Sequence, residues 1–163
     1  MQILCLDTNI VLLDANNIIA LGSQPDTIIV LPETVLDELD AKKTGLNELA
    51  YQSRHTTKIL QKCKKGDRFH LTNNITISPK YNKSLTIWIA TLKQYPSYAD
   101  LNSKLINDRK IIEVALELNN FYKEDPNTTV IFMTNDYMCG ERANSLGLET
   151  TDFKIVDKVD YEF

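Results

Sequence analysis

The sequence of 163 residues is 43% hydrophobic and 25% charged, which is typical of a globular protein and excludes a disordered or fibrous chain. Its formal net charge of −4 argues against nucleic-acid binding through an overall basic surface, unless acids gathered at one site hold divalent cations. The length predicts a single domain that covers residues 1–163.

The cysteine pattern and the hydropathy limit the compartment. Cys5, Cys63 and Cys139 are widely spaced and form no CxxC pair, so neither a disulfide framework nor a zinc site is indicated. We expect no signal peptide, because the chain enters a strand-like segment without a basic region before it. No apolar run approaches the roughly 20 residues that cross a bilayer. The sequence therefore predicts a cytoplasmic protein with no membrane partner.

The first part of the chain alternates buried strands with helices. Strands are predicted at 3–6 and 27–31. A helix is predicted after each strand, the first at about 10–21 and the second from Pro32 to residues 43–45. A long helix is predicted over about 46–64. It carries a stripe that we expect to pack on a sheet, made of Leu46, Leu49, Ser53, Thr56, Leu60 and Cys63.

The middle of the chain carries the weakest signals. Residues 68–77 fit a hairpin or an irregular excursion, and 85–92 fit either a helix or a strand, so an irregular insert is expected at about 68–102. A helix is then predicted from Asp108 to about 122, a strand at 130–133, a helix at 137–146 closed by Gly147, and an edge strand at 150–156. The alternation predicts an α/β three-layer sandwich, with a central, mostly parallel twisted sheet and helices on both faces.

Acidic residues occur where these elements end or begin. Asp7 directly follows the first strand, Asp136 follows a later one, Glu38 lies on the helix after the second strand, and Asp108 begins another helix. The carboxyl ends of parallel strands form the crevice in which α/β proteins bind ligands, so these acids can converge there. Clustered carboxylates repel one another unless a cation lies between them, and Mg²⁺ and Mn²⁺ prefer such oxygen ligands. One or two ions of this kind activate water for hydrolysis at phosphorus.

Each acid alone also has a simpler interpretation. Asp7, Asp108 and Asp136 precede or begin helices, where an acid often serves as a turn residue or an N-cap. Glu38 is close to other acids in the sequence and also fits a solvated acidic helix face.

The strings around these acids resemble the four motifs of the PIN domain family, in the same order. They are LDTN at 6–9, LPETVLDELD at 31–40, NDRKII at 107–112 and VIFMTND at 130–136. The resemblance covers residues 3–148 and is strongest to the PIN domain that precedes a PhoH-type ATPase, although the P-loop string of an ATPase is absent.

The resemblance implies a PIN-like fold and a metal-dependent endoribonuclease acting on single-stranded RNA. It implies that Asp7, Glu38, Asp108 and Asp136 are the catalytic residues and that they hold one or two Mg²⁺ or Mn²⁺ ions directly or through water. Asn9 and Thr134 are candidates for supporting these carboxylates by hydrogen bonds. An ATPase domain, an inhibitor protein and a second copy of the chain are the candidate protein partners.

Basic residues on two helices are candidates for holding RNA. They are Lys42, Lys43, Arg54, Lys58 and Lys62. Together they could guide a phosphate backbone to an acidic centre, and the competing interpretation is a solvated helix face.

Three rival functions stay open at this point. A non-catalytic PIN scaffold would bind RNA or a protein without cleaving it. A haloacid-dehalogenase-like phosphotransferase would need an acid two residues after Asp7, where this chain has Asn9. A structure-specific DNA nuclease uses related chemistry, with more acids and a longer chain.

Overall fold

The computed structural model describes residues 1–99 and 101–153. Its helices are α1 (Thr8–Leu13), α2 (Asn17–Gly22), α3 (Glu33–Lys42), α4 (Glu48–Gln61), α5 (Ser103–Tyr122) and α6 (Tyr137–Ser145). Its strands are β1 (Gln2–Leu6), β2 (Thr27–Pro32), β3 (Lys64–Lys65), β4 (Phe69–His70), β5 (Ile75–Asn82), β6 (Leu85–Leu92), β7 (Thr129–Met133) and β8 (Glu149–Thr151).

The strands form one sheet in the order β3-β5-β6-β2-β1-β7-β8, and the short β4 also pairs with β5. The pairs from β6 across to β8 are all parallel, whereas β3, β4 and β6 pair with β5 in the antiparallel sense. The strand β1 lies between β2 and β7, with Leu4 opposite Ile29 on one side and Ile131 on the other. The carboxyl ends of β1, β2, β6 and β7 therefore lie along the same edge of the sheet.

Both faces of the central strand are covered. Ile3, Leu4, Cys5 and Leu6 point alternately to opposite faces, and all four are buried. The helix α5 contacts β6 and β7, α2 contacts β2 and β6, and α3 contacts β2. The predicted three-layer α/β arrangement with a mostly parallel sheet is confirmed. The cysteines are free thiols, and no described helix combines the length and apolarity needed to traverse a bilayer.

The single helix expected at about 10–21 is wrong, because the structure contains two short helices there. The break lies between Asp14 and Asn16, where polar groups satisfy the backbone locally. The Asp14 carboxylate accepts from the backbone N–H of Asn16 at 2.9 Å, and Gln52 Oε1 accepts from the N–H of Ala15 at 2.8 Å. Such side-chain hydrogen bonds compete with those of a continuous helix.

The expectation of an irregular insert at about 68–102 is wrong for most of its length. Three strands lie in this segment, and β5 and β6 pair over eight residue positions joined by a tight turn with Lys83 at a φ of +52°. The strand β6 pairs on both sides and is buried on both faces, as at Trp88 and Ile89. A strand buried in this way has a continuous apolar sequence, which periodicity cannot distinguish from a short helix.

Three further boundaries and contacts differ from expectation. The long helix α4 begins at Glu48, so Leu46 of the predicted stripe lies before it, and both Leu46 and Leu49 are exposed. Ala50 and Ile59 are buried instead, and the helix packs on α1 and α3. Pro32 is the last residue of β2 and occupies the N-cap position of α3 without a capping hydrogen bond, rather than lying in the first turn of the helix. The last strand covers Glu149–Thr151 and ends before residues 152 and 153, which were expected to belong to it, while residues 154–156 of the expected strand lie outside the described residues.

Candidate active site

The predicted acids line one cleft at the carboxyl edge of the sheet. The cleft has a volume of about 690 Å³. Its walls include Asp7, Glu38, Asp108 and Asp136, together with Thr8, Asn9, Leu12, Lys42, Ser103, Lys104, Asn107 and Asn135. The structure therefore brings all four predicted carboxylates to one cavity from four separate parts of the chain.

Asp7 is the most buried of these acids, with 4% of its surface exposed. Its position is fixed because β1 ends at Leu6 and the Asp7 carboxylate caps α1, accepting from the backbone N–H of Thr8 at 2.8 Å. Burial raises the pKa of Asp7, and the negative charge of Asp136 adds to this effect, while hydrogen bonds from Thr134 and Thr8 oppose it. Asp7 is thus both the helix cap of the simpler interpretation and a wall of the cleft.

Asn9 and Thr134 support Asp7, as their positions in the motifs indicated. Both donate to Oδ2 of Asp7, the Thr134 hydroxyl at 2.7 Å and the Asn9 amide at 3.1 Å. Asn9 also accepts through Oδ1 from the backbone N–H of Asn135 at 2.9 Å. These contacts join the end of β1 to the loop after β7.

Asp136 lies at the start of α6 and acts as its N-cap. Its Oδ1 accepts from the backbone N–H of Cys139 at 3.1 Å, and its own N–H donates to the hydroxyl of Thr134 at 3.1 Å. One carboxylate oxygen of Asp136 is therefore used by the helix. Asp136 also lines the cleft, so, like Asp7, it is both a helix cap and a residue of the candidate site.

Glu38 reaches the cleft from α3 and is held there by α1. The hydroxyl of Thr8 donates to Oε1 of Glu38 at 2.8 Å, across 30 residues of sequence. Burial raises the pKa of Glu38, and the nearby charge of Asp7 raises it further. Lys42, one turn along the same helix, and Lys104 on α5 act in the opposite direction.

Asp108 lies inside α5 and not at its start, so the predicted boundary is wrong by five residues. The helix begins at Ser103, because the side chain of Asn102 caps it by accepting from the backbone N–H of Leu105 at 3.0 Å. Asp108 is buried, and its Oδ2 lies 3.8 Å from Nη1 of Arg142. Burial raises its pKa to about 6, with further contributions from the other three acids of the cleft.

The donor set suits a hard divalent cation. Burial raises the pKa of Asp7, Glu38 and Asp108, and the charge of a neighbouring carboxylate adds to the rise in each, so a cation between these acids would relieve their repulsion. Within residues 1–99 and 101–153, however, no group of three or more His, Cys, Asp or Glu side chains is close enough to hold an ion. Mg²⁺ commonly keeps several water ligands and takes only one or two carboxylates directly, so the residues fit an ion bound partly through water.

The predicted basic flank is only partly brought to the cleft. Lys42 lines it, but Lys43 forms an ion pair with Asp40 at 2.7 Å, and Arg54 donates to the carbonyl oxygens of Lys43 and Gly45 at 2.9 and 2.8 Å. Neither Lys58 nor Lys62 lines the cleft. The expectation that these two lysines and Arg54 bind RNA next to the acids therefore stays a prediction, and Arg54 has a structural role.

Several residues of the cleft were not found from the sequence. Lys104 and Asn107 line it from α5, and Thr8 orients Glu38. Lys104 precedes Asp108 by four residues, a spacing that puts two side chains on one face of a helix. That signal was present, but the helix was predicted to begin only at Asp108.

Comparisons with known proteins agree with the motifs. A family model described as a PIN domain matches residues 4–154. Protein PhoH2 of Bacillus subtilis (strain 168) is 28% identical over 165 residues, an alignment that covers 96% of this chain and 34% of PhoH2. The chain thus spans about a third of the length of this curated relative.

A solved structure supports the fold. A domain of a functionally unknown protein from Methanocaldococcus jannaschii DSM 2661 matches with a TM-score of 0.56 at 19% identity, covering 100% of this chain and 99% of that one. PIN domains are usually metal-dependent nucleases. Because the family model spans nearly the whole sequence and the four motif acids share one cleft, the chain belongs to the PIN domain family.

Proposed function

We propose that this chain is an endoribonuclease that hydrolyses phosphodiester bonds of single-stranded RNA and depends on Mg²⁺ or Mn²⁺. The observation that carries the proposal is that Asp7, Glu38, Asp108 and Asp136 line one open cleft. Lys42 and Lys104 line the same cleft and supply positive charge for the flanking phosphates of a strand. Membership of a family whose proteins are generally nucleases supports the reaction type.

The four carboxylates would hold one or two ions, which supply charge stabilisation and a water activated for attack at phosphorus. Asp7 has the most restricted geometry, because three donors fix its oxygens. Glu38 is oriented by Thr8 through Oε1, and we assign it the task of positioning the attacking water. Lys42 and Lys104 would hold phosphate groups on the strand and keep them within reach of the acids.

Cleavage of an end-labelled single-stranded RNA tests this proposal. We expect internal cuts with Mn²⁺ or Mg²⁺, no cuts with a chelator, and much slower cleavage of duplex RNA and of single-stranded DNA of the same sequence. Full activity in the chelator would contradict the proposal. RNA binding without cleavage under any of these divalent ions would indicate the non-catalytic scaffold instead.

The partners and the compartment are also proposals. The relative PhoH2 is about three times as long as the matched region, which supports an ATPase domain as the partner of this PIN domain. An inhibitor protein, a homo-oligomer and a cytoplasmic location remain predictions from the sequence. Size-exclusion chromatography with light scattering measures the oligomeric state directly.

A further inference from the structure

A second cavity opens beside β4, β5 and β6 and is lined by cations and hydroxyl groups. It has a volume of about 560 Å³, and its lining includes Arg68, His70, Thr72, Thr76, Thr91 and Lys93. No carboxylate of the described residues lines it. Arg68 and Lys93 are exposed and form no ion pair within the part of the chain that the structure describes. We call this cavity the hairpin cation site.

The strand register builds the floor of the hairpin cation site. His70 lies opposite Thr76, and Thr76 lies opposite Thr91, so the three side chains form a row on one face of the sheet. Nδ1 of His70 lies 2.9 Å from the Thr76 hydroxyl. Arg68 and Lys93 flank this row at its two ends. The site therefore combines two positive charges with hydroxyl groups held at fixed positions.

The hairpin cation site lies at the same edge of the sheet as the acidic cleft. Lys93 follows the carboxyl end of β6, and β6, β2 and β1 are consecutive parallel neighbours. Neighbouring strands lie about 4.8 Å apart, so β6 lies roughly 10 Å from β1 and β4 lies roughly 19 Å from β1. Nζ of Lys110 on α5 lies 5.4 Å from the ring centre of Tyr95, which joins α5 to the segment after β6. Lys110 is two residues from Asp108, and Tyr95 is two residues from Lys93.

We propose that the hairpin cation site binds phosphate groups of the RNA strand several nucleotides away from the bond that is cleaved. The inference rests on the proposed ribonuclease function and extends it to the path of the substrate. Arg68 presents a planar fork that matches phosphate oxygens, and Lys93 supplies a second cation. Among the described residues, no Phe, Tyr or Trp side chain lines the cavity, which favours contacts with the backbone rather than with stacked bases. The hydroxyl groups of Thr72 and Thr91 in the lining can donate to the same oxygens.

A binding experiment with a matched control tests the hairpin cation site. The full chain in a chelator is titrated onto a fluorescent single-stranded RNA of about ten nucleotides and onto a dinucleotide, and anisotropy is measured at several salt concentrations. The double variant Arg68→Gln/Lys93→Gln removes two charges from the site. The control Lys64→Gln/Lys123→Gln removes the same charge from the opposite edge of the sheet, near the start of β6 and the end of α5.

We expect Arg68→Gln/Lys93→Gln to bind the longer RNA about tenfold more weakly than the wild-type chain does. The slope of log K against log salt should fall by about 1.4, or about 0.7 for each phosphate that the variant no longer neutralises. The ratio of the affinity for the longer RNA to the affinity for the dinucleotide should be smaller in this variant, because only the longer strand reaches the site. Equal affinities and slopes for the two double variants would overturn the proposal.

The same measurements separate this inference from the proposed function. RNA binding that depends on Arg68 and Lys93 in a chain that cleaves no RNA would overturn the ribonuclease and leave the hairpin cation site standing. Metal-dependent cleavage combined with unchanged affinity in Arg68→Gln/Lys93→Gln would overturn the site and leave the ribonuclease standing.

Discussion

The hydroxyl of Thr134 donates a hydrogen bond of 2.7 Å to Oδ2 of Asp7 and so joins the ends of two neighbouring parallel strands. The same hydroxyl oxygen accepts from the amide of Asn9 at 3.2 Å and from the backbone N–H of Asp136 at 3.1 Å. A single side chain therefore fixes the relative positions of two acids of the cleft. Its removal should affect both the stability of the fold and the geometry of the site.

Replacing Thr134 by Val keeps the shape of the side chain and removes all three of these hydrogen bonds. We expect the free energy of unfolding to fall by about 1–3 kcal/mol, because Oδ2 of Asp7 loses its shorter hydrogen bond and keeps only the one from Asn9, while the N–H of Asp136 loses its bond to the hydroxyl. Cleavage should slow by roughly 10- to 100-fold, as is usual for groups that orient metal ligands. Urea unfolding and the RNA assay measure the two effects. Thr134→Ser keeps the hydroxyl, so equal effects in both variants would contradict this explanation.

Asp108 should make stability depend on pH when divalent ions are absent. Its pKa in the folded chain is about 6, above the value of 3.8 for a free side chain, so the folded state binds this proton more tightly. That contribution to stability is complete below about pH 4 and is lost as the pH rises through about 6. The raised pKa values of Asp7 and Glu38 act in the same direction.

We therefore expect the urea midpoint of unfolding to fall between about pH 4 and about pH 7, and to fall less for Asp108→Asn than for the wild-type chain. Urea titrations in a chelator measure this difference. Glu124→Gln removes an exposed acid from the turn after α5 and should retain the wild-type dependence. A steeper decline in Asp108→Asn than in the wild-type chain would contradict a destabilising effect of the ionised Asp108 carboxylate.

The central strands and the site acids could be predicted because their signals are local. The apolar run of β1 ends at Asp7, that of β2 ends at Pro32, and that of β7 ends at the TND sequence of residues 134–136. Parallel strands bring these three ends to one edge of the sheet. The convergence of Asp108 and Glu38 could be anticipated only through the family motifs. Their contacts, such as the one from Thr8 to Glu38, join residues that are far apart in sequence.

Other features depend on tertiary contacts that have no local signature. The strand β6 has the continuous apolar sequence of a doubly covered strand, so its type could not be assigned until its pairing with β2 was known. The α1–α2 break depends on Gln52 from another helix. Helix α5 begins earlier than predicted because Asn102 caps it. Lys104 was therefore not placed on the same helix as Asp108 and was left out of the predicted site.

Lys104 should contribute to substrate binding although the sequence did not reveal it. Lys104→Gln removes a positive charge from the cleft, so we expect KM for single-stranded RNA to rise by roughly threefold to tenfold and to depend less on salt. Steady-state cleavage at several salt concentrations measures this change. Lys123→Gln, an exposed cation just beyond α5, should leave KM unchanged, and equal effects of the two substitutions would contradict a specific role for Lys104.

Arg54 should stabilise the chain after α3 rather than bind RNA. Nη1 of its guanidinium donates to the carbonyl oxygens of Lys43 and Gly45, which holds the side chain against the segment after α3. We expect Arg54→Gln to lower the free energy of unfolding by about 1 kcal/mol and to leave affinity for RNA unchanged. Unfolding and anisotropy titrations distinguish the outcomes. Weaker RNA binding with unchanged stability would restore the sequence-based expectation.

We propose that the carboxylates of the cleft act together in divalent-ion-dependent cleavage of RNA. The most direct measurement is the rate of cleavage of single-stranded RNA against Mn²⁺ concentration for Asp7→Asn, Glu38→Gln, Asp108→Asn and Asp136→Asn. We predict that each folded variant cleaves at least about 100-fold more slowly, whereas Glu124→Gln, outside the cleft, keeps the wild-type rate. Wild-type rates in folded Asp7→Asn and Asp136→Asn would contradict the account.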